Sequence, residues 1–320
     1  MKYSIIISIY NDGALAEECT KSIMDAFSNI IDAKIDFHSQ VELIFVNDGS
    51  KDRSLEHLLA VRNKHSFVKV INLSRNFGQH EAIACGFREA KGEYILRMNV
   101  DMQDPPNEIP KLITAIKDGR YDIVVGQYEK RNSPLKEKVT AYLYFELFKL
   151  LTGMPIAQNT SPLRIMNRRF IDAYNQLTEK TRFPQGLDQW LGFRHAYVTI
   201  NHRRRTQGKS SYNFWSRSKL ALNGILYFSD RPLTLIGMAG IGIALAGAGL
   251  GVAIIIQKLT GSTLLPGYAS LASIALLGFG LQMGCMGLLG LYMGKIFREV
   301  QNRPLYIVQE IFEQQHGDTQ

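Results

Sequence analysis

Val41-Glu42-Leu43-Ile44-Phe45-Val46-Asn47-Asp48-Gly49-Ser50 is a short run of β-branched, aliphatic and aromatic residues that stops at four turn-forming ones. A run of this length with no polar alternation reads as a strand buried on both faces, closed by a polar turn. The same pattern recurs on either side. Lys2 to Ile9 reads as a strand ending at Tyr10-Asn11-Asp12, and Val68 to Leu73 as one ending at Ser74-Arg75-Asn76. Tyr94 to Asn99 reads as a strand ending at Asp101-Met102-Gln103-Asp104, and Asp122 to Gly126 as a fifth. Helical stretches fall between them, at Ala14 to Ile30, Ser54 to Lys64, Glu81 to Ala90 and Pro106 to Lys117. Strands alternating with helices give a mostly parallel α/β sheet covered on both faces. Ligands bind such sheets beyond the carboxyl ends of the strands, where all four polar clusters fall.

The chain has 320 residues, with 37 Lys+Arg against 29 Asp+Glu and a formal net charge of +8. Its 46% hydrophobic and 21% charged content excludes a disordered chain, a collagen-like repeat and a disulfide scaffold. Cys19, Cys85 and Cys285 form no C-x-x-C, and the seven His show no H-x-x-x-H. A zinc site is therefore not expected, and a reducing compartment is. The opening run Ile5-Ile6-Ile7-Ser8-Ile9 is too short for a signal peptide, so the N-terminal part is expected in the cytosol.

Residues 232–320 hold four basic and four acidic side chains, so the whole excess charge lies in residues 1–231. Between Arg231 and Lys258 lie 26 uncharged residues, and between Lys258 and Lys295 another 36. A helix needs about 20 apolar residues to cross the hydrocarbon core. Two spans are expected, about 233–257 and 269–294, joined near Gly261 and Pro266. Arg203, Arg204, Arg205, Lys209, Arg217, Lys219 and Arg231 precede the first, Lys295, Arg298 and Arg303 follow the second, and the turn holds Lys258 alone. The positive-inside rule then puts both ends in the cytoplasm. Glycines in the first span favour close helix approach and leave a homo-oligomer open.

No G-x-x-x-x-G-K-[ST] and no G-x-G-x-x-G occurs, which removes phosphate-loop NTPases and ordinary dinucleotide enzymes. Carboxylate and amide oxygens at strand ends suit Mg²⁺ or Mn²⁺ held together with substrate phosphates. Asp48 and Asp101 also suit plain turn or cap positions.

The ordered motifs resemble those of the family 2 glycosyltransferases of the GT-A fold, within them the polyprenyl-phosphate sugar transferases. The resemblance runs from about Tyr3 to Arg303 and rests on Ile7-Ser8-Ile9-Tyr10-Asn11-Asp12, Val46 to Asp52, Leu73 to Gly78 and Asn99 to Pro106. Gly208-Lys209-Ser210-Ser211-Tyr212 and Phe228 to Leu233 extend it to the membrane approach. It implies a GT-A domain over 1–200, a basic juxtamembrane segment over 201–231, two transmembrane helices within 232–294, and a cytoplasmic tail over 295–320. It also implies inverting transfer of a sugar from a nucleotide sugar, with uridine as the expected base, to a polyprenyl phosphate. Expected partners are those two substrates and the lipid bilayer, with no nucleic acid, and the expected place is the cytoplasmic membrane.

By the same resemblance, Asp101, Gln103 and Asn99 would hold the metal. Ile9, Tyr10, Asp12, Asp48 and Asn76 would surround the nucleotide, and Arg205, Lys209 and Ser210 would close over the diphosphate. A phosphate acceptor needs cations to orient it more than a base, and Arg131, Lys136 and Arg164 are the candidates. Leu135 to Leu151 reads as a helix with aromatics, facing either lipid or core, and Trp190 suits either an interfacial belt or core. The chain departs from the family pattern at Asn99, where Asp is usual, and at Tyr128, Gln158, Pro162 and His202. Two other readings stay open. A degenerate transferase kept as a membrane scaffold is one. A polysaccharide synthase is the other, although Gln185 to Trp190 lacks the Arg of its Q-x-x-R-W motif.

Overall fold

A computed structural model describes residues 1–28, 30, 37–129, 146–153, 157–180, 182, 184–201, 229–260 and 267–313. The strands are β1 (Tyr3–Ile9), β2 (Val41–Asn47), β3 (Val68–Leu73), β4 (Tyr94–Arg97), β5 (Ile123–Tyr128), β6 (Thr160–Asn167), β7 (His195–Ile200) and β8 (Val308–Phe312). The helices used below are α1 (Ala16–Ser28), α2 (Ser54–Lys64), α3 (Gln79–Glu89), α4 (Ile109–Lys117), α5 (Arg168–Asn175), α6 (Pro184–Trp190), α7 (Arg231–Leu259) and α8 (Tyr268–Val300).

One sheet carries the order β7-β5-β6-β4-β1-β2-β3-β8. Its centre, β4-β1-β2-β3, is parallel, and β5 pairs β7 in parallel. β6 is antiparallel to both β4 and β5, and β8 to β3. The mostly parallel sheet and all five strands read from the sequence are present. β4 is shorter than expected, stopping at Arg97, because the chain leaves the ladder before Asn99. β6, β7 and β8 were not read.

The pleat explains the burial. Ile5, Ile7, Ile9, Leu43 and Phe45 join one apolar cluster with residues of α1, α2 and α4. The opposite face meets α3, where Gly86 lies so close to β1 that a Cβ there would sit 2.3 Å from Ile6 Cγ2. The register matters for function. Ile9 pairs with Asn47, and Asn47 with Asn72, so β1, β2 and β3 end level.

By internal contacts, one compact unit comprises 1–143, 154–211 and 304–320, and a second comprises 144–153 and 212–303. In the second, α7 and α8 are 29 and 33 residues long, both longer than the expected spans. Tyr292 Oη donates to the Ser229 carbonyl at 2.8 Å. Arg231 and Ser229 donate to the carbonyls of Leu150 and Leu151. Counting only described residues, no helix is long and apolar enough to cross a membrane. Several positions inside both helices have no described side chain.

The stretch expected to be helical over 135–151 is helical over 146–152, and the rest lies outside the described residues. Phe148 there is buried, while Leu147 and Leu150 are exposed. The stretch 295–320, expected as a cytoplasmic tail, carries the end of α8 and a strand. α8 continues to Val300, and β8 returns to the sheet as an edge strand on β3. Arg62 reaches the Glu313 carbonyl at 2.9 Å, and Lys91 reaches its carboxylate at 3.2 Å. An unpaired β3 edge would invite pairing with another chain, and β8 covers it.

Candidate functional site

Parallel strands that end level present their following loops side by side, and here those loops are tied together. Ile9 closes β1, and its carbonyl accepts Asp48 N–H at 2.8 Å. Asn11 adopts φ +59, donates its N–H to Ser50 Oγ at 3.0 Å, and accepts Lys51 N–H on Oδ1 at 2.9 Å. The Asp12 carbonyl accepts Leu15 N–H, opening the turn into α1. Tyr10 is exposed beside this knot.

Asp48 is the clasp of the second and third loops. It is 2% exposed, and its carboxylate accepts Phe77 N–H at 2.8 Å and Gly78 N–H at 3.0 Å. Burial raises its pKa, while the two N–H groups and Arg75 act the other way. Each oxygen keeps further lone-pair capacity. Asn76 is exposed on the same loop, where Arg75 donates to its carbonyl at 3.0 Å and stacks 4.1 Å from the Phe77 ring centroid.

Gly49 makes this approach possible. Its φ is +62, and a Cβ would lie 2.2 Å from the Arg75 carbonyl carbon and 2.5 Å from Asn76 N. Gly49→Ala is expected to cost roughly 2–4 kcal/mol through left-handed strain and backbone overlap. Thermal unfolding beside nucleotide binding checks this, and an unchanged Tm would contradict it.

The fourth loop joins through Gln79, whose Nε2 donates to Asn99 Oδ1 at 3.1 Å. Asp101 and Gln103 are half-buried, and Gln103 N–H meets Asp101 Oδ1 at 3.4 Å. Met102 between them has φ +48, which turns the chain sharply. Among the described residues no group of three His, Cys, Asp or Glu could hold a metal ion. The oxygens present are one carboxylate and two amides, a set that suits Mg²⁺ or Mn²⁺ when substrate phosphates complete the shell.

Further residues support this end of the sheet. Asp104 is buried and accepts from Tyr128 Oη at 2.7 Å and from Ser161 Oγ at 2.5 Å, joining the loop to β5 and β6. Burial, then the bond to Asp104, raises the Tyr128 pKa above its ordinary range. Gln309 of β8 accepts from Asn72 Nδ2 at 3.3 Å, while Asn72 accepts from Asn47 Nδ2 at 2.7 Å. The D-M-Q-D-P-P string, Asp101 to Pro106, pointed to Asp104; nothing in the sequence pointed to Gln309.

Arg164 was expected to place the acceptor phosphate. Rather than an open cation awaiting an acceptor, it is 5% exposed on β6, with its guanidinium on the carboxylate of Asp188. On β4, Arg97 is its register partner. Burial, then the charges of Arg97, Arg164 and Arg182, push the nearby His80 imidazole down to about 4. Trp190 is 61% exposed, which removes the core reading. Arg131, Lys136, Arg205, Lys209 and Ser210 lie outside the described residues.

Comparison with known proteins matches residues 4–176 to Glycosyl transferase family 2. An uncharacterized glycosyltransferase of Synechocystis is 33% identical over 98% of this chain and 96% of its own. The undecaprenyl-phosphate 4-deoxy-4-formamido-L-arabinose transferase of Proteus mirabilis is 31% identical over 97% of this chain and 94% of its own. The bactoprenol glucosyl transferase of Shigella phage SfII is 32% identical over 97% and 98%. Among solved structures, a mannosyltransferase of Pyrobaculum calidifontis in complex with GDP-Man and Mn²⁺ aligns over 94% of this chain and 86% of its own, at 18% identity and a TM-score of 0.48.

Proposed function

Because the chain belongs to glycosyl transferase family 2, we propose that it moves a sugar from a nucleotide sugar, with uridine as the base, onto a polyprenyl phosphate. The observation that carries this is the set of four strand-end loops linked through Asp48, Asn11 and Gln79. The full-length relatives named for undecaprenyl-phosphate and bactoprenol chemistry support the acceptor class.

In the reaction proposed, an acceptor phosphate oxygen bonds to the anomeric carbon as the bond to the nucleoside diphosphate breaks, with inversion. The products are polyprenyl-phosphate sugar and nucleoside diphosphate. Ile9, Tyr10, Asp12, Asp48 and Asn76 would surround the base and ribose. Arg205, Lys209 and Ser210 would close over the diphosphate. Asp101, with Gln103 and Asn99, would hold Mg²⁺ or Mn²⁺, which neutralises charge on the departing diphosphate. A phosphate monoester is already ionised near neutral pH, so it needs placement more than a base.

Placement falls to Arg131 and Lys136. Loss of one charge-assisted contact costs on the order of 1.5–3 kcal/mol, roughly ten- to a hundredfold in rate. Arg131→Ala should therefore depress transfer while leaving nucleotide-sugar binding nearly intact. Arg131→Lys should rescue only part, because an ammonium cannot make the bidentate contact. Calorimetry beside a transfer assay tests the proposal. Equal loss of donor affinity and transfer would move Arg131 to the nucleotide site, and no change in either would refute an acceptor site there.

The acceptor is a lipid, and α7 and α8 suit a bilayer hairpin with both termini cytoplasmic. Their 29 and 33 residues extend about 43 and 50 Å, against a hydrocarbon core of about 30 Å. Leu235, Met238, Ile241 and Leu245 on α7, and Phe279, Met286 and Met293 on α8, are exposed, an apolar surface that lipid would cover. A reporter fused after Gln320 should lie in the cytoplasm and one inserted near Gly261 outside. A cytoplasmic signal at Gly261 would refute the hairpin.

A further inference from the structure

Behind the fourth loop, on the α3 side of β4 and β6, lies a cluster of buried cations. Arg97, Arg164 and Arg182 are 6%, 5% and 7% exposed. Among the described residues they share a single ion pair, Arg164 with Asp188. Glu81 lies in the field of Arg182 alone. The charge of Asp188 also acts on Arg97. Arg97 Nε, Arg164 Nε, Arg182 Nε and Nη1, and His80 Nδ1 are buried without a hydrogen-bond partner among the described residues. His80, Arg97, Arg164, Tyr174 and Asp188 line a small cavity there.

A buried cation with unused donors is costly, and a bound counter-charge offsets that cost. The cavity has room for about one water-sized sphere, too little for a phosphate or a carboxylate. We propose that this cavity is a binding site for one monatomic, monovalent anion of chloride size, held between Arg97, Arg164 and His80. Buried positive charge favours an anion, and the unused Nε–H groups of Arg97 and Arg164 supply its contacts. The bound ion would join β4, β6 and α3 beneath the strand-end loops.

The test uses the full-length protein in detergent. Thermal unfolding is compared in sodium chloride and in sodium gluconate, whose anion is too large to enter, at equal ionic strength. Chloride is expected to raise Tm by roughly 2–4 °C in a saturating manner. Arg97→Met, which keeps the volume and removes the charge, should abolish the difference. Equal Tm in both salts, or an undiminished chloride response in Arg97→Met, would overturn the proposal. Should Arg97→Met fail to fold, crystals of the unaltered protein grown in bromide decide. An anomalous peak in the cavity supports the site, and an ordered water without one overturns it.

Discussion

Asp48→Ala is expected to lower nucleotide-sugar affinity by a hundredfold or more. The carboxylate holds two backbone N–H groups, at 2.8 and 3.0 Å, that belong to a different loop. Bonds to a charged acceptor contribute about 1.5–3 kcal/mol each, and their loss leaves two donors in a half-buried loop. The loop carrying Asn76 then loses its anchor on β2, in addition to any contact Asp48 makes with the base. Asp48→Asn keeps one acceptor oxygen and turns an NH₂ toward an N–H group, so an intermediate loss is expected. Calorimetric titration with the nucleoside diphosphate checks both. Unchanged affinity in Asp48→Ala would mean that the clasp and the nucleotide site are separate.

Asp101→Ala is expected to reduce sugar transfer by roughly 10²–10³-fold or more, because it removes the one carboxylate from the proposed metal set. Asn99 and Gln103 offer only neutral oxygens, which bind a hard divalent ion weakly without it. Asn99→Asp should keep or improve activity, most visibly at limiting Mn²⁺, since it adds a charged ligand. Chelator should abolish transfer by the unaltered protein. Full activity of Asp101→Ala in chelator would sink the metal assignment.

What could be read from the sequence follows from how each element buries itself. β1, β2 and β3 are covered on both faces, so they appear as short, mostly apolar runs, and their ends are marked by Asn-Asp, Asn-Asp-Gly-Ser and Ser-Arg-Asn. β6 escaped because Thr160-Ser161-Pro162-Leu163-Arg164 interrupts its apolar pattern, with Ser161 and Arg164 spent on Asp104 and Asp188. β8 escaped because its antiparallel partner is more than 200 residues away in sequence, and no local pattern announces such a pairing. The same distance hid the contact from Gln309 to Asn72. Asp48 shows the limit most clearly. Both readings of it, a turn residue and a site residue, are compatible with its place, since it builds the loop on which the proposed site rests. The buried cluster was invisible as a group, because Arg97, Arg164, Arg182 and Asp188 come from separate segments that only the fold brings together.

The most direct test of the central claim is sugar transfer by the purified full-length protein in detergent. Undecaprenyl phosphate, Mn²⁺ and a panel of radiolabelled nucleotide sugars are supplied, and lipid-extractable label is followed. The proposal predicts one uridine-diphosphate sugar giving a labelled polyprenyl-phosphate product that is lost with undecaprenol in place of its phosphate. Label transferred equally to undecaprenol, or found only in a water-soluble or polymeric product, would contradict it.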